Sequence, residues 1–340
     1  MPAVPGGHAA AVVDAPNSNG RIDTNDHQTY HVIDRSYRAA MDKLTTLLTH
    51  FSLHADVFHT GNVCGIQRFP KDALRGHLHL VKRGPVEVIG VRDGVIRIAE
   101  PTLLFLPRAD AHRLVADERA GADVVCGTVR FGGGGRNPIT DSLPAVVLVE
   151  LAALPDVDAL LDLLFGEAFA EQSGRQAVLD RLCEVLIIRL LRHCIDRGLT
   201  RGGSLAGLAD ARLAKALMAL HDDPAGEWNL AAMADLAGMS RARFAVRFRE
   251  VTGETPADYL AGWRVMIAQR LLARGVALKH VAYDVGYGSA SALTRVFTRK
   301  LGRSPTEWLR TRRGMVGRGG DETPGHANET SDSAASGQLR

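Results

Sequence analysis

The chain has 340 residues, with 41 Lys and Arg against 38 Asp and Glu and 46% apolar residues. That length supports two domains with cores of their own, and the charged and apolar fractions are those expected of a soluble globular protein. No run of about 18 uncharged apolar residues and no basic-then-apolar N-terminal segment occurs, so no membrane span or signal peptide is expected and a cytoplasmic setting is.

Residues 1–40 are rich in small and polar types, with Pro2, Pro5, Pro16 and Gly6-Gly7, and read as a disordered tail. Met41 opens an apolar-periodic stretch and is a candidate translation start. Residues 57–150 read as β-rich. Short apolar runs at Val86–Val91, Val95–Ala99, Leu103–Leu106, Val124–Phe131 and Val146–Leu151 are separated by turn signals such as Arg92-Asp93-Gly94, with no helical period between them. Such strands argue for a sandwich or barrel, placed at 41–155. The Gly132–Gly135 run lacks the strand-to-helix context of a phosphate loop and reads as a hairpin turn.

Residues 156–198 change period. Leu160, Leu161, Leu164 and Phe165 belong to one helical stripe, and Leu179, Leu182, Leu186, Leu190 and Leu191 to another. The second is apolar over a wide face, which suits packing on the barrel, pairing with a second subunit, or both. The segment 156–198 is therefore assigned as dimerisation helices, and a homodimer is expected. Gly198, Gly202, Gly203 and Gly207 mark 199–207 as a linker.

From 208 to 313 the pattern is helical and contains one motif twice. Phe244, Phe248, Gly253, Pro256, Tyr259 and Leu260 recur 49 residues on as Leu293, Phe297, Gly302, Pro305, Trp308 and Leu309. Ala234 and Gly238 recur 48 residues on as Ala282 and Gly286. An internal repeat in fixed register constrains the fold. Each copy reads as a short helix, a glycine turn and a second helix that is apolar behind and basic in front, a helix-turn-helix. Arg241, Arg243 and Arg247 face outward in the first copy, and Ser289, Ser291, Thr294, Arg295 and Arg299 in the second. These residues are the candidate DNA contacts. Pro256–Arg274 reads as one connecting helix of about 28 Å, close to the roughly 34 Å of one DNA turn. Residues 208–313 hold 17 Lys and Arg against 10 Asp and Glu, as a phosphate-binding surface requires. Residues 314–340 read as a second disordered tail.

The stretch Val281-Ala282-Tyr283-Asp284-Val285-Gly286-Tyr287, followed by Phe297 and Gly302-Arg303-Ser304-Pro305, resembles the closing signature of the AraC/XylS family of transcription regulators. Ala292-Leu293 stands where that family commonly has an aromatic pair. The resemblance implies an N-terminal effector domain, often a cupin barrel, and two fragments are similar to cupin motifs. They are His77-Leu78-His79, with both imidazoles on one strand face, and Pro107–His112, with Ala109 in place of the usual Gly. Arg83 and Gly84 occupy the places where metal cupins carry a Glu. His77, His79 and His112 are thus candidates for an effector pocket or a metal site for Zn²⁺ or Fe²⁺, with no cofactor as the default expectation.

The region around Cys126 resembles the branch of the family that includes reactive-chlorine sensors. Cys64 and Cys126 are the redox candidates, through a disulfide if barrel closure brings them together or a sulfenic acid at Cys64. A strand cysteine that is merely a buried small hydrophobe is the alternative for Cys126. Cys183 and Cys194 read as packing residues of a helix.

The expected fold class is α+β: an N-terminal cupin-like β-barrel plus two helices, then an all-α C-terminal domain of two helix-turn-helix units. The expected function is a sequence-specific DNA-binding transcriptional regulator rather than an enzyme, responding to a small ligand or oxidant. RNA polymerase is a further partner if the protein activates. The alternatives are a metal-dependent cupin enzyme with a helical appendage and an oxidant sensor without DNA affinity.

Overall fold

A computed structural model describes residues 42–316, apart from 73, 92–93, 109 and 133–136. The tails at 1–40 and from 317 onward, the Arg92-Asp93 turn, Ala109 and the Gly133–Gly135 turn therefore lie outside the described residues. The strands are β1 (Leu53–Val63), β2 (Gly65–Phe69), β3 (Gly76–Arg83), β4 (Val86–Val91), β5 (Gly94–Ile98), β6 (Thr102–Leu106), β7 (His112–Ala116), β8 (Ala122–Phe131) and β9 (Val147–Glu150). They form two antiparallel sheets, ordered β1-β8-β3-β6-β9 and β2-β7-β4-β5. The five apolar runs in the sequence fall on β4, β5, β6, β8 and β9.

Alternation along the central strands builds two cores. Leu78 and Leu80 of β3, Leu103 and Phe105 of β6, and Val125 and Val129 of β8 face the helices and join an apolar core that continues to Phe297. Val81, Leu104, Leu106, Val124 and Cys126 face the opposite way and fill the barrel with Val86, Val88 and Leu114.

The helices of the N-terminal half are α1 (Lys43–His50), α2 (Pro138–Ser142), α3 (Asp158–Ala168) and α4 (Arg175–Asp196). The wide apolar face of α4, including Leu179, Leu186, Ile187 and Leu190, is buried in the chain's own core. It lies against β1, whose ladder breaks between Val57 and His59. There the Val57 N–H donates to Asp180 Oδ1 at 2.8 Å, and Gln176 Nε2 donates to the Val57 carbonyl at 2.6 Å. Side chains of α4 thus satisfy backbone groups that the bulge removes from the sheet.

The C-terminal half contains α5 (Gly203–Ala209), α6 (Leu213–Asp222), α7 (Leu230–Leu236), α8 (Arg241–Thr252), α9 (Pro256–Ala273), α10 (Leu278–Asp284), α11 (Ala290–Leu301) and α12 (Pro305–Val316). Three boundaries differ from the sequence reading. The expected linker 199–207 holds most of α5, which buries Leu205 and Leu208. The helix expected from Leu208 starts at Leu213, and Asp210 Oδ1 accepts from the Arg212 and Leu213 N–H groups in the turn that leads into it. The last helix runs to Val316, beyond the expected boundary at 313.

The first helix, α1, is chemically part of the C-terminal half. Thr46 Oγ1 donates to Asp222 at 2.9 Å, and the Arg270 guanidinium donates to the terminal carbonyls of Thr49 and His50. His221 stacks on Trp263 at 3.8 Å between ring centroids, and His50 and Phe51 meet the same indole edge-on. Burial, with a smaller push from His50, lowers the His221 pKa to about 3. The unfolded value is near 6.5, so the neutral form stabilises the fold above that pH and the contribution is lost as pH falls toward 3. The chain is expected to lose thermal stability between pH 6.5 and 4, with a shallower loss in His221→Phe. Parallel pH profiles for the two proteins would contradict this.

Candidate functional site

The two basic helices are built alike. In the first copy, Gly238 turns the chain with φ +62 and Ser240 caps α8 by accepting from the Arg243 N–H. Phe244 and Phe248 are then buried, leaving Arg241, Arg243 and Arg247 outside. In the second, Gly286 turns with φ +82 and Ser289 caps α11. Leu293 and Phe297 are buried, while Ser291, Arg295 and Arg299 are exposed. Leu293 fills the place of an aromatic residue completely, at 0% exposure.

Three candidate contacts prove to be engaged within the protein. The Ser289 hydroxyl accepts from the Ala292 N–H at 3.2 Å, and the half-buried Thr294 hydroxyl donates to the Ala290 carbonyl at 2.8 Å. Arg247 donates through Nε and Nη2 to Asp210 Oδ2, at 3.0 and 2.8 Å. Asp210 also accepts from the N–H groups at the start of α6, so this ion pair ties α8 to the segment that enters the C-terminal helices. Arg241, Arg243, Ser291, Arg295 and Arg299 remain as the outward set.

Arg264, in the middle of α9, was not legible as a functional residue. Its guanidinium donates to the carbonyls of Pro224, Gly226 and Gly286 and lies over the Tyr287 ring at 5.4 Å. It therefore joins the loop that leads into the first unit to the turn of the second. Nothing in its spacing signals this, because all three acceptors are backbone atoms remote in sequence.

The barrel gathers the three predicted histidines. Their candidate ligand atoms lie within 4.8 Å of one another. His79 is fully buried, and His77 and His112 nearly so. Phe69 from β2 stacks on His112 with a 14° interplanar angle and meets His79 edge-on. Burial, followed by proximity to His112, lowers His77 to about 4 and holds His79 well below its ordinary value; burial also lowers His112. The imidazoles are therefore neutral at pH 7.

Neutrality fixes the proton positions. His112 Nδ1 donates to the Asp110 carbonyl at 2.8 Å, which leaves its Nε2 as an acceptor. His79 Nε2 then donates to it at 2.9 Å, and His79 Nδ1 accepts from the Cys126 thiol at 3.1 Å. The same imidazoles suit a soft or borderline cation, with the Asp110 carbonyl orienting His112 as a second-layer partner does in metal sites. Sequence reasoning missed two neighbours. His59 pairs with Cys126 and Thr128 with His77, so both face the barrel interior. His59 Nε2, His77 Nδ1 and Thr128 Oγ1 are buried without a partner. Their signal was present only in strand register, which a bulge in β1 shifts by one residue.

The cysteine pair is not assembled. Cys64 is exposed and its thiol donates to Asn62 Oδ1 at 3.2 Å. It lies just beyond the Val63–Ala122 pair, while Cys126 is four residues further along β8. That is roughly 13 Å along the strand, against the roughly 7 Å limit for a disulfide between Cα atoms. Burial raises the Cys126 pKa far above the thiol range, so it stays protonated.

Comparison with known proteins agrees with this division. Residues 42–196 match the cupin family and residues 233–311 the helix-turn-helix domain family. The chain is 36% identical over 207 residues to an AraC-like transcription regulator of Streptomyces antibioticus, covering 59% of this chain and 68% of that one. It is 26% identical over 234 residues to the RCS-specific HTH-type transcriptional activator RclR of Escherichia coli, covering 68% and 82%. Among solved structures, the DNA-binding domain of AdpA in complex with a target DNA is 32% identical, with a TM-score of 0.31, covering 32% of this chain and 99% of that one.

Proposed function

This chain belongs to the AraC-like transcription regulators, and we propose that it reads double-stranded DNA with α8 and α11 and takes its signal at the barrel histidines. The observation that carries the DNA reading is the matched pair of capped basic helices held by one rigid connector. The connector α9 has 18 residues, or about 27 Å, which suits two major grooves about one turn apart on one DNA face. Arg241, Arg243, Arg295 and Arg299 are the proposed base and phosphate contacts. Arg247 is proposed as an internal pin through Asp210.

Arg295→Ala is expected to weaken specific binding by about 1–3 kcal/mol if it reads a guanine, or to lower the salt slope by about one if it contacts phosphate. Fluorescence anisotropy against the upstream DNA, over a salt series, separates these outcomes. Unchanged affinity and unchanged slope would remove Arg295 from the interface.

For the signal, the enclosed imidazole cluster favours an ion over an organic effector, because the barrel around it is filled by side chains. His77, His79 and His112 would hold a divalent transition metal such as Zn²⁺, which supplies a charge able to tie β3 to β7. His79 would then carry its proton on Nδ1, facing the Cys126 sulfur. The chain is expected to take up about one equivalent of Zn²⁺ and gain thermal stability, and His79→Gln to lose both. Uptake that survives His79→Gln would place the metal elsewhere.

Oxidant sensing is the second reading. It is favoured by the exposed thiol of Cys64 and confined to that residue by the protonated, buried Cys126. The α3–α4 region is proposed as a homodimer surface through its outer residues, among them Leu163, Phe169, Val178 and Val185, which are exposed although apolar. Among the described residues no helix is long and apolar enough to cross a membrane. A cytoplasmic setting, and contact with RNA polymerase if the protein activates, complete the proposal.

A further inference from the structure

Phe244 and Phe248 fix the buried side of α8. Val246, midway between them in sequence, lies about 200° around the helix from Phe244 and so points outward. It is 60% exposed and belongs to neither apolar core. Ala242, one turn earlier, shares its face and is exposed as well. The other exposed side chains of α8 are Arg241, Arg243, Arg247, Arg249 and Glu250, all of them charged. An apolar strip therefore runs along the outward centre of a basic helix. Met239, half-buried just before the helix begins, continues it in one open groove with Arg243.

A lone exposed valine is ordinary on a protein surface. Here, however, neither packing nor helix propensity favours one, since a β-branched side chain loses rotamer freedom in a helix. The second copy of the repeat shows what usually fills the place. Leu293 and Phe297 fix the buried side of α11 in the same way, and the residue midway between them is the exposed Arg295. In the same register Ala242 matches Ser291 and Glu250 matches Arg299. The outward centre of α11 thus offers hydrogen-bonding groups, where that of α8 offers methyl groups followed by a carboxylate.

In the major groove, the outward centre of a reading helix meets base edges and the residues beside it reach phosphates. A strip with neither charge nor hydrogen-bonding atoms gains nothing from a phosphate, and Glu250 beyond it repels one. Guanine, adenine and cytosine present hydrogen-bonding atoms in that groove. Thymine alone adds a methyl group to its edge.

We propose that Val246, with Ala242 beside it, packs on the C5 methyl of a thymine, so that α8 specifies a T·A pair by apolar contact while α11 reads through Arg295. Arg241 and Arg243, flanking the strip, are then placed for the phosphates on either side. The proposal rests on the assignment of α8 as a DNA-reading helix and adds the base that this helix selects.

The test uses a duplex selected by the full chain from a random pool. Each thymine is replaced in turn by deoxyuridine, which removes one methyl and leaves base pairing intact, and fluorescence anisotropy at fixed salt gives the affinity. Within the tract whose protection Arg243→Ala weakens, one replacement is expected to weaken binding about fourfold, the effect of one buried methyl group. Val246→Ala is expected to melt as the parent does, since the site is exposed. It should bind the thymine duplex more weakly and the two duplexes nearly equally, because the methyl has lost its partner. A selected duplex in which no thymine responds, or a loss as large in Val246→Ala as in the parent, would overturn the proposal and leave α8 as a reader of other groups. Failure of both Arg243→Ala and Arg295→Ala to weaken binding would instead overturn the DNA-reading assignment, and the proposal with it.

Discussion

Gly286→Ala is expected to destabilise the protein by about 2–5 kcal/mol, and Gly238→Ala by only about 1–2 kcal/mol, although the two glycines occupy the same place in the repeat. Both have positive φ, +62 and +82, so each alanine meets the steric penalty of the left-handed region. At Gly238 that is all, because an added Cβ would meet nothing within 4 Å. At Gly286 the Cβ would stand 2.7 Å from Arg264 Nη2 and 2.8 and 2.9 Å from the Ala225 Cα and carbonyl oxygen. Backbone cannot yield as a flexible side chain does, and displacing Arg264 would also strip donors from the Pro224 and Gly226 carbonyls. Urea unfolding of the two variants measures the difference. Equal losses would show that Arg264 does not press the two units together.

Trp263→Ala is expected to cost about 3–5 kcal/mol, the range for a fully buried large aromatic. The indole carries the stack with His221 and the edge contacts with His50 and Phe51, so its removal loosens α1 from the DNA-binding half as well as opening a void. The melting transition should therefore split, with amide exchange in α1 rising ahead of global unfolding. A loss below about 1 kcal/mol with a single transition would show that α1 is held by Thr46–Asp222 and Arg270 instead.

The legible part of the fold was the part coded locally. Positive-φ glycines, serine caps and apolar pairs four residues apart lie within one turn of the backbone they determine. The helix-turn-helix units and most strands could thus be placed from spacing alone. The His77, His79 and His112 cluster was readable through the resemblance of their two segments to cupin motifs, which places the residues in one barrel; only the His77–His79 pairing on one strand face follows from spacing.

What could not be read depended on partners distant in sequence. Short α5 was hidden because the glycines around Leu205 and Leu208 outweighed two apolar positions. Arg247 looked like any outward arginine until Asp210 was placed beside it. The breadth of α4 was ambiguous between barrel and second subunit, and β1 decides for the barrel on the buried side. The separation of Cys64 from Cys126 follows from the β1–β8 register, which no local pattern specifies. His59 faces the barrel interior only because Phe58 is left over in the bulge.

The central claim is that one chain presents two DNA-reading helices to one face of the duplex. Hydroxyl-radical footprinting of the full chain on its upstream DNA tests it most directly, run beside Arg243→Ala and Arg295→Ala. Two protected tracts about 10 base pairs apart, with each variant weakening a different one, are the predicted result. A single tract weakened by both substitutions, or no protection under any condition including added Zn²⁺, would contradict the account.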